Sequence, residues 1–109
     1  MEYIEIENGK EGFAKYGKSE KVIAFIHNDE LNSKKQIEEL KQIEEENLII
    51  LDFNVKHKEN LIFAKSLRVT ALPTMFFLKK GSPKSAIVGL REKEVIIKKI
   101  KTVFKNKRK

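Results

Sequence analysis

The alternation of apolar and polar residues divides the chain into segments with the lengths of strands and helices. Glu2–Ile6 alternates polar and apolar residues, which predicts a short strand with one buried face. The unbroken apolar run at 22–26 predicts a central strand that is covered on both faces, and the largely apolar run at 48–55 predicts a second buried strand. Three of the predicted strands therefore lie in the first half of the chain.

Apolar residues at helical spacing separate these strands. Residues 11–16 and 59–67 predict short helices, and a longer one is expected at the C-terminal end. Ser33 followed by Gln36 matches the capping-box pattern, so we expect a helix to begin at Ser33. The apolar stripes of the last three helices are Ile37, Leu40 and Ile43; Leu61, Ile62, Ala64 and Leu67; and Val95, Ile96, Ile100, Val103 and Phe104.

A hairpin completes the predicted sheet. The apolar residues 75–78 and 86–88 flank the turn-forming residues 79–83. The element order is then β-α-β-α-β-α-β-β-α, in which the first part implies parallel strands joined by right-handed crossovers. The pattern predicts an α/β sandwich of three layers, with a central mixed sheet and helices on both faces.

The composition is that of one ordinary globular domain. The 109 residues are 40% hydrophobic and contain no cysteine, which excludes disulfides, thiolate catalysis and cysteine-ligated metals. The longest apolar runs are strand-sized, far shorter than the ~20 residues that a membrane span needs. The N-terminus is acidic and alternating, unlike a signal peptide, so we expect a cytoplasmic protein.

The positive charge is concentrated at the C-terminal end. Residues 91–109 carry nine basic and two acidic residues, which accounts for the whole formal net charge of +7. We expect one domain at 1–104, of which residues 1–90 carry no net charge, and a basic tail at 105–109, for which solubility is the ordinary explanation. The candidate contacts for a nucleic acid or an anionic surface are Lys105, Lys107, Arg108 and Lys109.

One short motif carries a family resemblance. Residues 69–81 read VTALPTMFFLKKG, in which a proline and a threonine precede a hydrophobic strand that turns at a glycine. Together with the element order, this motif resembles the thioredoxin family over nearly the whole chain. The resemblance implies a thioredoxin-like sandwich with a cis bond between Leu72 and Pro73. The alternative is a different α/β sandwich in which Leu72, Pro73 and Thr74 form only a turn.

The redox residues of that family are missing together. The resemblance places Glu30–Ser33 where the redox-active members carry Cys-x-x-Cys. Disulfide exchange needs a low-pKa thiolate and a second sulfur that resolves the mixed disulfide, and neither Glu30 nor Ser33 supplies one. The family's buried carboxylate corresponds to Ala24, and its lysine partner corresponds to Asp52. The resemblance therefore implies a fold without thiol redox activity, and no cofactor is expected.

The proline junction is the remaining candidate site. In thioredoxin-fold proteins this neighbourhood receives an extended peptide, and strand addition takes its affinity from backbone hydrogen bonds. The resemblance implies an apolar floor of Ile26, Leu31, Leu72 and Pro73, with Asp29 and Glu30 as an acidic rim. A purely structural role for each of these residues is the alternative.

Other polar residues give weaker signals. Glu30 near a helix start is most simply placed there by the helix dipole. Ser33 as a nucleophile would need a base and an orienting group, and His27 and His57 have no further ligand at metal spacing. Asp52 would be costly if buried alone, so we expect either a buried partner or exposure at the strand end. No catalytic, cofactor or metal residue is assigned.

The leading hypothesis is a non-enzymatic, redox-inactive thioredoxin-like module that binds a protein or an extended peptide. The second class is an adaptor whose basic C-terminal helix and tail contact a nucleic acid or an anionic surface. An enzyme with non-thiol chemistry is the third class. Fold alone does not decide among these three.

Overall fold

A five-stranded sheet lies between two layers of helices in the computed structural model, which describes residues 1–105. The strands are β1 (Glu2–Ile6), β2 (Lys21–His27), β3 (Leu48–Asn54), β4 (Thr74–Lys79) and β5 (Ser82–Val88). The helices are α1 (Gly9–Tyr16), α2 (Leu31–Leu40), α3 (Lys58–Ser66) and α4 (Lys93–Phe104). The predicted element order and the mixed α/β sandwich are confirmed.

The strand order brings several strand ends together. The sheet has the order β1-β3-β2-β4-β5, in which β1, β3 and β2 are parallel and β4 and β5 are antiparallel additions. The carboxyl ends of the three parallel strands therefore share one edge, where ligands bind in many α/β folds. Thr74 pairs with Ile26, so the proline that precedes β4 lies at this same end.

Two apolar layers hold the helices on the sheet. The layer beneath α2 and α4 contains Ile23, Phe25, Leu40, Leu48, Ile50, Met75, Phe77, Ile96, Ile100 and Phe104. The layer beneath α1 and α3 contains Ile6, Val22, Ala24, Ile26, Leu51, Phe53, Ala64 and Leu78. Because successive strand residues point to opposite faces, the apolar runs of β2 and β3 supply both layers.

The start of α2 differs from its prediction. The helix begins at Leu31, and its N-cap residue Glu30 makes no side-chain capping bond. Ser33 is 1% exposed and donates to Asn28 Oδ1 at 3.0 Å, instead of capping the helix. The Gln36 side chain pairs with the backbone of Arg91, with both hydrogen bonds at 2.9 Å. The capping-box prediction is wrong because Ser33 bonds to Asn28 in the preceding turn and Gln36 bonds to the distant backbone of Arg91.

Several apolar residues that were assigned to the core are exposed. They are Leu61 and Ile62 on α3, Leu67 directly after α3, and Val95 on α4. α3 packs instead through buried Ala64 and Asn60 and half-buried Phe63. The Asn60 side chain donates to the carbonyls of Ile6, at 2.7 Å, and Asn54, at 3.0 Å. A polar side chain thus fastens this helix to the ends of β1 and β3.

Candidate functional site

The peptide bond between Leu72 and Pro73 is cis, and the sheet pairing of the chain stops beside it. The Pro73 carbonyl accepts from the Gly89 amide at 2.7 Å, and Thr74 Oγ1 donates to the Ala71 carbonyl at 2.6 Å. Within residues 1–105, neither the N–H nor the C=O of Leu72 pairs with another backbone group. Pro73 is buried, whereas Leu72 is half-buried. Leu72, which lies two residues before β4, therefore has a backbone N–H and C=O that no other backbone group within residues 1–105 occupies.

The segment that leads from β2 into α2 forms the other side of this end of the molecule. Asp29 and Glu30 are exposed, and the side chain of Leu31 is 65% exposed. Ile26 is fully buried in the layer beneath α1 and α3. The prediction that Ile26 forms part of an apolar floor is therefore wrong, because its side chain points into the core and cannot reach a partner. Of the residues predicted for this surface, Asp29, Glu30 and Leu31 are exposed, Leu72 is half-buried and Pro73 is buried.

Asn28 and Asn54 fix the path of this segment. Asn28 Oδ1 accepts from the Glu30 amide and from Ser33 Oγ, both at 3.0 Å. Asn54 Nδ2 donates to Asp29 Oδ1 at 2.8 Å, and this hydrogen bond lowers the pKa of Asp29 below its usual range. The acidic rim is thus held by one bond from β3 and by an Asn-centred turn at the start of α2.

A buried polar group joins His27 at the end of β2 and Asp52 in the second half of β3 to Tyr3 near the start of β1. His27 Nε2 bonds to Asp52 Oδ1, and the Tyr3 hydroxyl donates to Asp52 Oδ2 at 2.5 Å. His27 is 3% exposed and Asp52 is 6% exposed, and the His27 ring stacks on Phe25 with centroids 4.6 Å apart. Asp52 is therefore buried and paired with a histidine and a tyrosine from two neighbouring strands. No lysine takes part in this pairing.

Each nitrogen of the His27 ring lies at hydrogen-bond distance from an oxygen atom. Nδ1 lies 2.9 Å from the Asn28 carbonyl oxygen, which can only accept, so Nδ1 carries a proton. Burial acts to lower the pKa of His27, but the hydrogen bond to Asp52 and its negative charge outweigh burial and raise it above the usual value. Burial and the Asp52 charge also raise the pKa of Tyr3 far above the usual range, so the phenol remains a donor. Because both ring nitrogens are already engaged, His27 is not placed to act as a general base.

A cavity of about 400 Å³ opens above this group. Its lining residues are Glu5, Ile6, Glu7, His27, Asn28, Asp29, Lys34, Ile37, Asp52, Asn54, Lys56 and His57. Acidic and basic side chains are mixed around it, and Ser33 is buried against Asn28 and does not line it. In the part of the chain that the structure describes, no three histidine or carboxylate side chains are placed to hold a metal ion. Within the described residues, the lining of this cavity contains no serine, threonine or cysteine.

Neither Tyr3 nor His27 was predicted from the sequence as a partner of Asp52. The strand register contained the signal, because Phe25 pairs with Asp52 and thus His27 and Asp52 share one face of the sheet. Ala24 lies in the opposite layer, so the two positions of the family's proton relay do not face each other here.

The basic tail lies mostly beyond the part of the chain that the structure describes. Lys105 is exposed directly after α4. Lys107, Arg108 and Lys109 lie outside the described residues, so their polyanion contact stays a prediction. Of the helices within residues 1–105, none is both long and apolar enough to cross a membrane.

Comparison with known proteins relates this geometry to one family. The family model described as Thioredoxin matches residues 31–102. A mutant thioredoxin from Halobacterium salinarum NRC-1 has a TM-score of 0.85 at 16% identity, over 98% of this chain and 95% of that chain. Chloroplastic thioredoxin z has a TM-score of 0.75 at 18% identity, over 94% and 95% of the two chains. Thioredoxin O2 from Arabidopsis thaliana has a TM-score of 0.69 at 18% identity, over 92% and 91%. No curated protein sequence matches the chain.

Proposed function

Since this chain belongs to the thioredoxin family, we propose that it is a redox-inactive member that binds an extended segment of a protein partner along Leu72. The chain has no cysteine and so cannot form the mixed disulfide through which thiol enzymes act. What remains of the family's architecture is the proline junction and the start of α2. The free peptide groups of Leu72 are the observation that carries the proposal.

Backbone pairing supplies the affinity in this proposal. A strand end with an unpaired N–H and C=O can add an extended segment, whose backbone completes the hydrogen bonds. Within residues 1–105, Leu72 offers both groups, whereas the next residue, Pro73, already accepts from Gly89. An added segment would therefore pair with Leu72 and not with Pro73.

Side chains supply the selectivity. Leu31 is 65% exposed, and Leu72 is half-buried in the adjoining loop. Asp29 and Glu30 add two exposed carboxylates beside Leu31. The partner segment that fits this surface has an apolar side chain flanked by lysine or arginine, because opposite charges orient an encounter and exclude acidic segments.

Selection from a random peptide library tests this proposal. Peptides selected on the wild-type protein are measured against Leu31→Asp and against the matched variant Ile62→Asp, which places the same charge on an exposed apolar position of α3. We expect Leu31→Asp to weaken binding by at least about tenfold, which equals a loss of about 1.4 kcal/mol. Ile62→Asp is expected to bind like the wild type.

The same measurement has a contradicting outcome. Equal affinity for the two variants, with melting temperatures that show both to be folded, would exclude Leu31 from the contact. Peptides that contain no basic residue beside an apolar one would contradict the role of Asp29 and Glu30.

No thiol reductase activity is expected from this chain. Reduction of insulin by dithiothreitol, followed by turbidity, is the measurement, and the protein should be no faster than buffer. The physical reason is that neither Glu30 nor Ser33 offers a sulfur to accept or pass on a disulfide. Acceleration that persists after repurification would contradict the proposal.

A further inference from the structure

His27 joins the buried Asp52 to the segment that leads into α2. Its Nε2 bonds to Asp52 on β3, and its Nδ1 donates to the Asn28 carbonyl at 2.9 Å. The ring is held by its stacking on Phe25, with centroids 4.6 Å apart. The two bonds exist together only while the ring carries both protons.

Loss of one proton from His27 breaks one of these two bonds. A hydrogen bond to a carboxylate is roughly twice as strong as one between neutral groups, so the remaining proton stays on Nε2 against Asp52. Nδ1 then presents a lone pair to the Asn28 carbonyl oxygen, and two acceptors at this separation repel each other. The Asn28 peptide group must then move away from the ring.

Asn28 transmits such a movement to the start of α2. Its Oδ1 accepts from the Glu30 amide and from Ser33 Oγ, and its own amide donates to Ser33 Oγ at 3.3 Å. We propose that the ionisation of His27 sets the position of Asn28–Leu31, which the imidazolium holds and the neutral ring releases. The same segment carries Leu31, Asp29 and Glu30, so the ionisation of His27 would also regulate partner binding. That part of the inference rests on the proposed function.

The charged groups around His27 favour the protonated ring, which holds Asn28–Leu31 in position. Asp52 from β3 bonds to the ring, Tyr3 from β1 bonds to Asp52, and Asp29 follows in the chain. The other charged or titratable groups that line the cavity above the ring are Glu5, Glu7, Lys34, Lys56 and His57. Burial opposes the charge on His27, but Asp52 outweighs burial and raises the pKa of the ring. Release is therefore expected on the alkaline side of the usual histidine range.

An NMR titration of the full chain without a partner tests this coupling. The two histidine rings and the backbone amides are followed together between about pH 5 and pH 9, a range that brackets the usual histidine value of about 6.5. We expect the amides of Asn28, Glu30 and Ser33 to shift with the midpoint of the His27 ring. The amide of Leu61, on the outer face of α3, is expected to show no shift with that midpoint.

Two variants separate coupling from coincidence. In Asp52→Asn the midpoint of the His27 ring and those of the three amides should move together to lower pH. Tyr3→Phe, which removes one donor and keeps the carboxylate, serves as the second variant if Asp52→Asn fails to fold, and again ring and amides should move together. Two results would overturn the inference. The amides could titrate with the midpoint of the His57 ring, or their midpoints could stay unchanged in a variant that shifts the midpoint of the His27 ring. Because no partner is used, failure of peptide binding would contradict the proposed function alone.

Discussion

Asp52→Ala is expected to lower the free energy of unfolding by about 3–5 kcal/mol near pH 6, because it leaves a buried histidine without its carboxylate. A loss of this size is a large part of the roughly 5–15 kcal/mol of a typical domain. His27 and Tyr3 both lose their acceptor, and the His27 side chain is almost fully buried. Urea denaturation at a series of pH values is the measurement.

The effect of Asp52→Ala should depend on pH in a defined direction. The pKa of His27 is raised in the folded chain, so its stabilising contribution is fully present below the unfolded value of about 6.5. That contribution is lost as pH rises through the higher folded value. The difference between wild type and Asp52→Ala should therefore shrink as the solution becomes alkaline.

A surface control accompanies this comparison. Glu38→Ala removes an exposed carboxylate from α2 and is expected to change the free energy of unfolding by less than about 0.5 kcal/mol at every pH. A cost of Asp52→Ala as small as that of Glu38→Ala, or a difference that grows with pH, would contradict the buried ion pair.

Phe25→Ala is expected to cost about 3–5 kcal/mol, because Phe25 is fully buried and its removal leaves a cavity in the layer beneath α2 and α4. The same ring supports His27, with which it is stacked. We therefore expect the amide of Asn28 to shift as well, since the imidazole loses the surface that fixes its orientation. Chemical denaturation and an amide spectrum measure the two effects.

Phe25→Leu provides the matched comparison for this position. It keeps most of the apolar volume, so it should cost clearly less than Phe25→Ala. It should nevertheless shift the Asn28 amide, because a leucine offers no flat ring for stacking. Equal costs for the two variants would show that the layer beneath α2 and α4 rearranges around the site.

The order of elements was predictable because the pattern of this chain is locally consistent. Two apolar runs of strand length and a late hairpin define the mixed sheet without any knowledge of tertiary contacts. The start of α2 was not predictable, because the capping-box residues Ser33 and Gln36 satisfy the pattern but bond to Asn28 and Arg91. The capping pattern was overridden by a hydrogen bond within the preceding turn and by a long-range one.

Only the part of the candidate site that the family resemblance covers was predictable from the sequence. Leu31 and Leu72 were placed at one end of the molecule from the motif, whereas Ile26 was wrongly assigned to its surface. Side-chain direction in a central strand depends on register, and a shift of one residue exchanges core and surface. The His27–Asp52 pair needed the register of β2 against β3, which the sequence does not state. The cytoplasmic location and the polyanion contact of the tail stay predictions.

Amide hydrogen exchange at Leu72 tests the central claim most directly. The exchange rate of this amide is measured by NMR in the free protein and at saturation with a library-selected peptide. Within the described chain the Leu72 amide has no backbone partner, so it should exchange quickly when free and at least about tenfold more slowly when the peptide is bound. A saturating peptide that leaves Leu72 unprotected and slows exchange elsewhere would contradict binding at this strand end.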